Sequence, residues 1–243
     1  MKLAEGIEAL ELTSDFAGRT MTIYPVLFTD HEGPTLVDTG MPGQLSALLA
    51  AIEAAGVPPT TLRRIILTHQ DIDHIGNASE LREAFAADVL AHEADTPYIQ
   101  GEKPLIKLDP SRLEAMLASL PEAAWERTRA IFSSPPSVHV DRQLHDGDVI
   151  PIGAGVRVVH TPGHTPGHIS LYVPGERLLI AGDALRVEDG QLLGPGEANT
   201  PDMERALLSV REVAGLEVDM VLCYHGGPYG PGAGRRLREI AGR

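Results

Sequence analysis

Thr68-His69-Gln70-Asp71-Ile72-Asp73-His74 directly follows the apolar run Ile65-Ile66-Leu67 and packs four potential metal ligands into six residues. A short continuous apolar run reads as a strand buried on both faces, as in sheets covered by helices. Alternate residues of an extended segment project the same way, so His69, Asp71 and Asp73 are expected on one side. His74 joins them if the chain turns into the helix expected near Asn77. Imidazole and carboxylate together suit zinc, iron or manganese, whereas an all-oxygen set suits calcium or magnesium.

Outward from this stretch, β-rich runs alternate with helical ones, the signature of an α/β fold. Val26-Leu27-Phe28 and Thr35-Leu36-Val37 read as strands around the turn Asp30-His31-Glu32-Gly33-Pro34. Leu45, Leu48, Leu49 and Ile52 have helical spacing, and Gly56 closes that helix. Asn77 and Glu80 form a capping-box pattern ahead of Leu81 and Phe85. Val89-Leu90-Ala91 is the next strand. Two amphipathic helices then break the rhythm: one started by Asp109-Pro110 with Leu113, Met116, Leu117 and Leu120, one started by Pro121 with Trp125, Thr128 and Phe132. Strands resume at Val156–Val159, Ile169–Val173, Leu178–Ile180 and Met220–Leu222. Thr200 is expected to cap a helix showing Met203, Leu207 and Val210, with Pro201 in its first turn and Asp202 as an acid near its positive end, and a terminal helix runs through Leu237 and Ile240. No solenoid-type repeat or low-complexity segment is visible, and one domain over 1–243 is the expectation, with a helical insert at about 95–135.

Composition bounds the partners. The 243 residues carry 34 acids against 20 bases, a formal charge of −14. Affinity for nucleic acid and for anionic membranes rests on clustered cations, and the only adjacent basic pairs are Arg63-Arg64 and Arg235-Arg236. Neither partner is expected; a small-molecule substrate is. The single cysteine, Cys223, rules out an internal disulfide or a Cys-based zinc knuckle and reads as a buried inert thiol. No apolar run reaches the roughly 20 residues needed to span a bilayer, and Met1–Glu8 carries acids where a signal peptide is apolar. A cytoplasmic protein is expected, and the sequence does not indicate its oligomeric state.

Further ligand-type residues stand at strand ends, where α/β proteins build sites. His160-Thr161-Pro162-Gly163-His164-Thr165-Pro166-Gly167-His168 follows one strand, Asp183 another and His225 the last. Together with Leu36-Val37-Asp38-Thr39-Gly40, this ordered set resembles the metallo-β-lactamase fold superfamily over nearly the whole chain. The resemblance implies a four-layer αββα sandwich of two mixed sheets with outer helices. It places one metal on His69, Asp71 and His164 and a second on Asp73, His74 and His225, with Asp183 bridging both. Asp38 and His168 are expected to support these ligands from outside, and His160 to orient ligands or cap a strand end. His31, His92, His139 and His145 lie in turn-rich stretches and read as solvated surface residues.

The resemblance further implies a dinuclear hydrolase in which a metal-bound hydroxide attacks a small ester, lactone, thioester or phosphoester. Asp73 and Asp183 are its expected catalytic carboxylates. An Asp at 183 resembles the lactonase, thioesterase and phosphodiesterase branches, where one group of true β-lactamases has Cys. Asp71 departs from the usual His; it removes positive charge from the site and favours iron or manganese beside the expected zinc. Flavodiiron oxygen reductases share that carboxylate, so a diiron redox protein is one alternative; they also carry a flavodoxin domain that this sequence does not show. A non-enzymatic binding module with an impaired metal site is the other. The helical insert around Trp125 and Phe132 is expected to act as a lid. Arg235, Arg236 and Arg238 do not match the C-terminal basic pattern of the family's glutathione-thioester hydrolases.

Overall fold

Two mixed sheets stack face to face in the computed structural model, which describes residues 1–16, 19–109, 111 and 113–242. The first runs, edge to edge, Lys2–Ala4, Ile7–Ala9, Val26–Phe28, Thr35–Val37, Arg64–Leu67, Asp88–His92 and Arg142–Leu144. Its strands are parallel from Thr35–Val37 onward and antiparallel before it. The second runs Val149–Ile150, Val156–His160, Ile169–Val173, Leu178–Ile180, Met220–Cys223 and Gly227–Tyr229, with one parallel pair, Leu178–Ile180 beside Met220–Cys223. Small hairpins, Leu12–Phe16 with Arg19–Ile23 and Arg186–Glu188 with Gln191–Leu193, stand outside both sheets.

Strand alternation sorts the side chains into layers. Val37, Ile66 and Leu90 meet Val158, Ile169, Leu171, Ile180 and Leu222 between the sheets. Their chain neighbours Leu36, Ile65, Leu67, Val89 and Ala91 face the other way, onto Leu48, Ile52 and Leu81 of helices Leu45–Ala54 and Ala78–Phe85. Beyond the second sheet, Tyr172, Leu179, Val221 and Cys223 pack on Val210, Val213 and Leu237 of helices Met203–Val213 and Ala233–Ile240. The result is the helix–sheet–sheet–helix sandwich that the sequence implies. Among the described residues no helix is long and apolar enough to cross a membrane.

Several elements depart from the local sequence pattern. Asn77 does not cap the Ala78–Phe85 helix; its Nδ2 donates to the carbonyls of Thr39 (2.5 Å) and Met41 (2.9 Å), which tie down the loop after Asp38. Asp202, not Thr200, caps the Met203–Val213 helix, accepting from Arg205 N at 2.9 Å. That helix buries Ala206, Ser209, Val210 and Val213 and leaves Leu207 41% exposed. The rotation has a cause: Ser209 Oγ donates to Pro162 O at 2.8 Å, and a Cβ on Gly163 would strike Ala206. The small-residue face must therefore meet the Pro162-Gly163 turn. In the stretch joining strands Asp88–His92 and Arg142–Leu144, helix Leu113–Ala118 stops before Leu120, and Trp125–Ser133 buries Thr128 with Ile131. Pro110 lies outside the described residues.

His92 is the clearest departure. It is only 5% exposed, stacks on His160 with ring centroids 3.9 Å apart, and accepts from Ala94 N through Nδ1. His31, His139 and His145 are exposed as expected. Burial, and after it the neighbouring His160 imidazole, push the His92 pKa down to about 4, against the partial pull of Glu93 and Asp95. In the unfolded chain it returns to about 6.5, so the unfolded state binds more protons between these two values. The His92 contribution is therefore intact above about pH 6.5 and is lost as pH falls toward 4, by on the order of 2 kcal/mol. Urea unfolding at pH 7 and pH 4.5 checks this: His92→Asn, which keeps an acceptor for Ala94 N, is expected to lose less stability between the two pH values than wild type.

Candidate metal centre

The strand Arg64–Leu67 delivers Thr68 and His69 to the end of the first sheet, and the chain then reverses through a short helix, Ile72–Ile75. Asp71 is extended at the helix start, so His69 and Asp71 do share a side, with His69 Nε2 3.3 Å from Asp71 Oδ2. Asp73 lies within the helix and parts from them, against the expectation of three residues on one extended edge. It faces His225 instead, Oδ2 to Nε2 at 3.2 Å. A helix this short leaves no periodicity to read. Gly76 makes the reversal possible, because a Cβ there would strike the backbone of Gly40, Met41 and Pro42.

The second sheet supplies the other half. His164 comes from the loop after Val156–His160, Asp183 follows Leu178–Ile180, and His225 follows Met220–Cys223. Among the described residues two groups of ligand-type atoms result, each within 4.8 Å: His69, Asp71, His164 and Asp183, and Asp73, His74 and His225. Asp183 lies between them. Its Oδ1 is 3.4 Å from His74 Nε2, and its Oδ2 is 3.3 Å from His164 Nε2 and 3.4 Å from His225 Nε2. All seven residues read from the sequence thus meet at one place.

The surrounding hydrogen bonds aim these groups. Asp38, in the left-handed region at φ 61° and buried, accepts from Thr68 N (2.8 Å), Thr68 Oγ1 (2.8 Å) and His74 Nδ1 (2.9 Å). The Nδ1 bond leaves His74 Nε2 facing the centre. His168 lies beneath: its Nδ1 meets Thr161 Oγ1 at 2.8 Å and its Nε2 accepts from Asp183 N at 2.9 Å. Tyr224 OH donates to Asp73 O at 2.5 Å while its ring covers His74 at 3.9 Å. His160 meets Pro166 O at 2.9 Å and takes no part in either group.

Two residues escaped the sequence reading. Buried Asp95 accepts from Gln70 N (3.1 Å), Gln70 Nε2 (3.2 Å), Thr165 Oγ1 (2.7 Å) and Gly167 N (2.7 Å), clamping the two histidine-bearing loops together. Lys107 reaches in from the helical insert, with Nζ 2.5 Å from Asp71 Oδ2 and 2.6 Å from His164 Nε2. Asp95 sits in an ordinary Ala94-Asp95-Thr96 stretch, and Lys107 sits in no pattern, so no local signal distinguished either.

The donors fit divalent cations. Among the described residues His69 Nε2, His74 Nε2 and Asp183 Oδ1 are buried without a hydrogen-bond partner, a costly condition that a metal relieves. Burial alone raises the Asp71 and Asp183 carboxyls, but the facing imidazoles, joined by Lys107 at Asp71, hold both well below the usual carboxylate range. Against its own burial, His225 is driven up to about 10 by Asp183 and Asp73. The cluster is thus electrostatically short of positive charge.

Comparison with known proteins agrees with this geometry. Residues 21–225 match the model of the metallo-beta-lactamase superfamily. The chain belongs to that superfamily. It is 33% identical over 242 residues to the probable metallo-hydrolase YflN of Bacillus subtilis, covering 93% of this chain and 89% of that one. A hydroxyacylglutathione hydrolase of Cereibacter sphaeroides is 27% identical over 177 residues, 72% of this chain and 51% of the relative. Among solved structures, the metallo-beta-lactamase family protein TTHA1429 from Thermus thermophilus superposes with a TM-score of 0.74 at 26% identity, covering 99% of this chain and 80% of that one. The chain is a probable metal-dependent hydrolase of this superfamily.

Asp38 reaches the centre through His74 and Thr68. Asp38→Asn tolerates the left-handed backbone but donates where Asp38 accepts. Metal affinity, measured by competition with a chromophoric chelator, is expected to fall about 10–100-fold with the fold retained; unchanged affinity would show that Asp38 does not orient His74.

Proposed function

We propose that the chain is a dinuclear metal-dependent hydrolase of a small ester, lactone, thioester or phosphoester, built as a single domain over 1–243. The observation that carries this reading is the placement of Asp183, with one carboxylate oxygen toward His74 and the other toward His164 and His225. One ion would be held by His69, Asp71 and His164, the other by Asp73, His74 and His225, and Asp183 would serve both. Zinc is the ion expected first, and iron or manganese gains from the carboxylate of Asp71. Divalent ions held there supply Lewis acidity, acidifying a water and polarising the bond it attacks.

The protein's own groups do the rest. Asp73 takes the proton released by the attacking water and returns it to the leaving group, and the Tyr224 hydroxyl holds its backbone in place. His168 accepts the backbone N–H of Asp183 and so anchors the loop that carries this carboxylate between the two halves. The helical insert walls one side of the centre, since Lys107 and the Ile106 N–H both contact the metal motif. The similarity to a hydroxyacylglutathione hydrolase supports including thioesters in the first substrate panel.

The test is a panel of lactones, thioesters, aryl esters and phosphodiesters against metal-loaded protein. Turnover of at least one is expected, abolished by chelation and reduced at least about a hundredfold in Asp183→Ala. A panel turned over no faster than by the chelated protein would overturn the hydrolase reading.

A further inference from the structure

Lys107 stands where a cation of the first half-site would stand. Asp71 Oδ2 and His164 Nε2 are 3.0 Å apart, and Lys107 Nζ lies 2.5 and 2.6 Å from them. Ligating oxygens and nitrogens sit roughly 2.0–2.2 Å from zinc. An ion bound to this pair therefore needs nearly the same space as Nζ, and the two cannot share it.

The lysine is held there by the fold. Leu105 and Leu108, on either side of it, are buried in the core beneath the helices of the first sheet. Ile106 N donates to Gln70 Oε1 at 2.9 Å, and Gln70 Nε2 donates to Asp95 Oδ1 at 3.2 Å. Gln70 lies between His69 and Asp71, so the metal motif itself fixes the backbone that presents Lys107. The lysine side chain is 22% exposed and that of Asp71 15%, so their attraction is only partly screened by water. The opposite half-site differs: Asp73 and Asp183 there face the imidazoles of His74 and His225.

We propose that Lys107 is the resident cation of the His69–Asp71–His164 half-site, and that a divalent ion enters this half only by displacing it. The first ion then goes to the Asp73–His74–His225 half, and the affinity for the second is set by the Asp71–Lys107 pair. The same pairing accounts for the unusual carboxylate at 71, because a histidine there would remove the carboxylate that the lysine contacts directly. This inference rests on the metal centre of the proposed hydrolase and concerns how that centre fills.

The test uses the full chain, stripped with chelator and titrated with zinc and separately with manganese, as wild type, Lys107→Met and Lys107→Arg. Wild type and Lys107→Arg are expected to bind one ion tightly and a second at least about tenfold more weakly. Lys107→Met, uncharged and of similar reach, is expected to tighten the second ion at least about tenfold and leave the first unchanged. A second-ion affinity that is equal or weaker in Lys107→Met overturns the inference and leaves the hydrolase reading standing. Absence of any bound ion in all three overturns both. Amine labelling of wild type gives a readout that needs no variant: peptide mapping is expected to find Lys107 modified faster once the second ion is bound. An unchanged labelling rate on saturation with two ions overturns the inference.

Discussion

Three carboxylates, Asp71, Asp73 and Asp183, close on one mostly buried space, where facing imidazoles and Lys107 offset the cost that burial places on their charges. Like charges this close repel strongly where water is scarce. Neither sheet could build such a site alone. The first brings His69 through His74, the second brings His164, Asp183 and His225, and the apolar core between Ile66 and Ile180 holds the two strand ends in register. Packing the sheets thus creates the electrostatic problem and also supplies the imidazoles that meet it. Asp38 adds a fourth carboxylate behind His74, which keeps that ring oriented and makes the demand for positive charge greater.

What the sequence made legible was local. The run Ile65-Ile66-Leu67 is a buried strand because its residues serve two different cores, Ile66 between the sheets and its neighbours beneath the helices. His164, Asp183 and His225 could be read because each follows a strand within a few residues. The errors came where a side chain is recruited from far along the chain. Asn77 has the spacing of a helix cap, yet it serves the carbonyls of Thr39 and Met41, nearly 40 residues away. His92 sits in a polar stretch and still buries its ring, because His160 of the other sheet stacks on it. Leu207 fits the helical period, but the Ser209 bond to Pro162 turns the helix so that this leucine faces outward.

The same distinction explains why Asp95 and Lys107 stayed hidden. Asp95 joins partners 25 to 72 positions away, and Lys107 partners 36 and 57 positions away. Nothing nearby in the chain marks either. Gln70 is instructive here: the alternation that aims His69 and Asp71 at the centre turns the intervening residue toward Asp95 and Ile106. A position that ligates nothing thereby couples the metal motif to the insert.

That coupling constrains how the centre can vary. Removing one partner of a partly buried ion pair leaves the other uncompensated, which costs more than removing both. Asp71 and Lys107 form such a pair beside His164. Replacing Asp71 by His would restore the commoner ligand while pressing the lysine against imidazoles, and replacing Lys107 alone would leave a third carboxylate to be balanced by metal. The two changes together return the half-site to an imidazole set open to an ion. Asp71 and Lys107 are therefore best regarded as one unit of the centre, a carboxylate and its own cation, and not as a ligand substitution beside an unrelated residue of the insert.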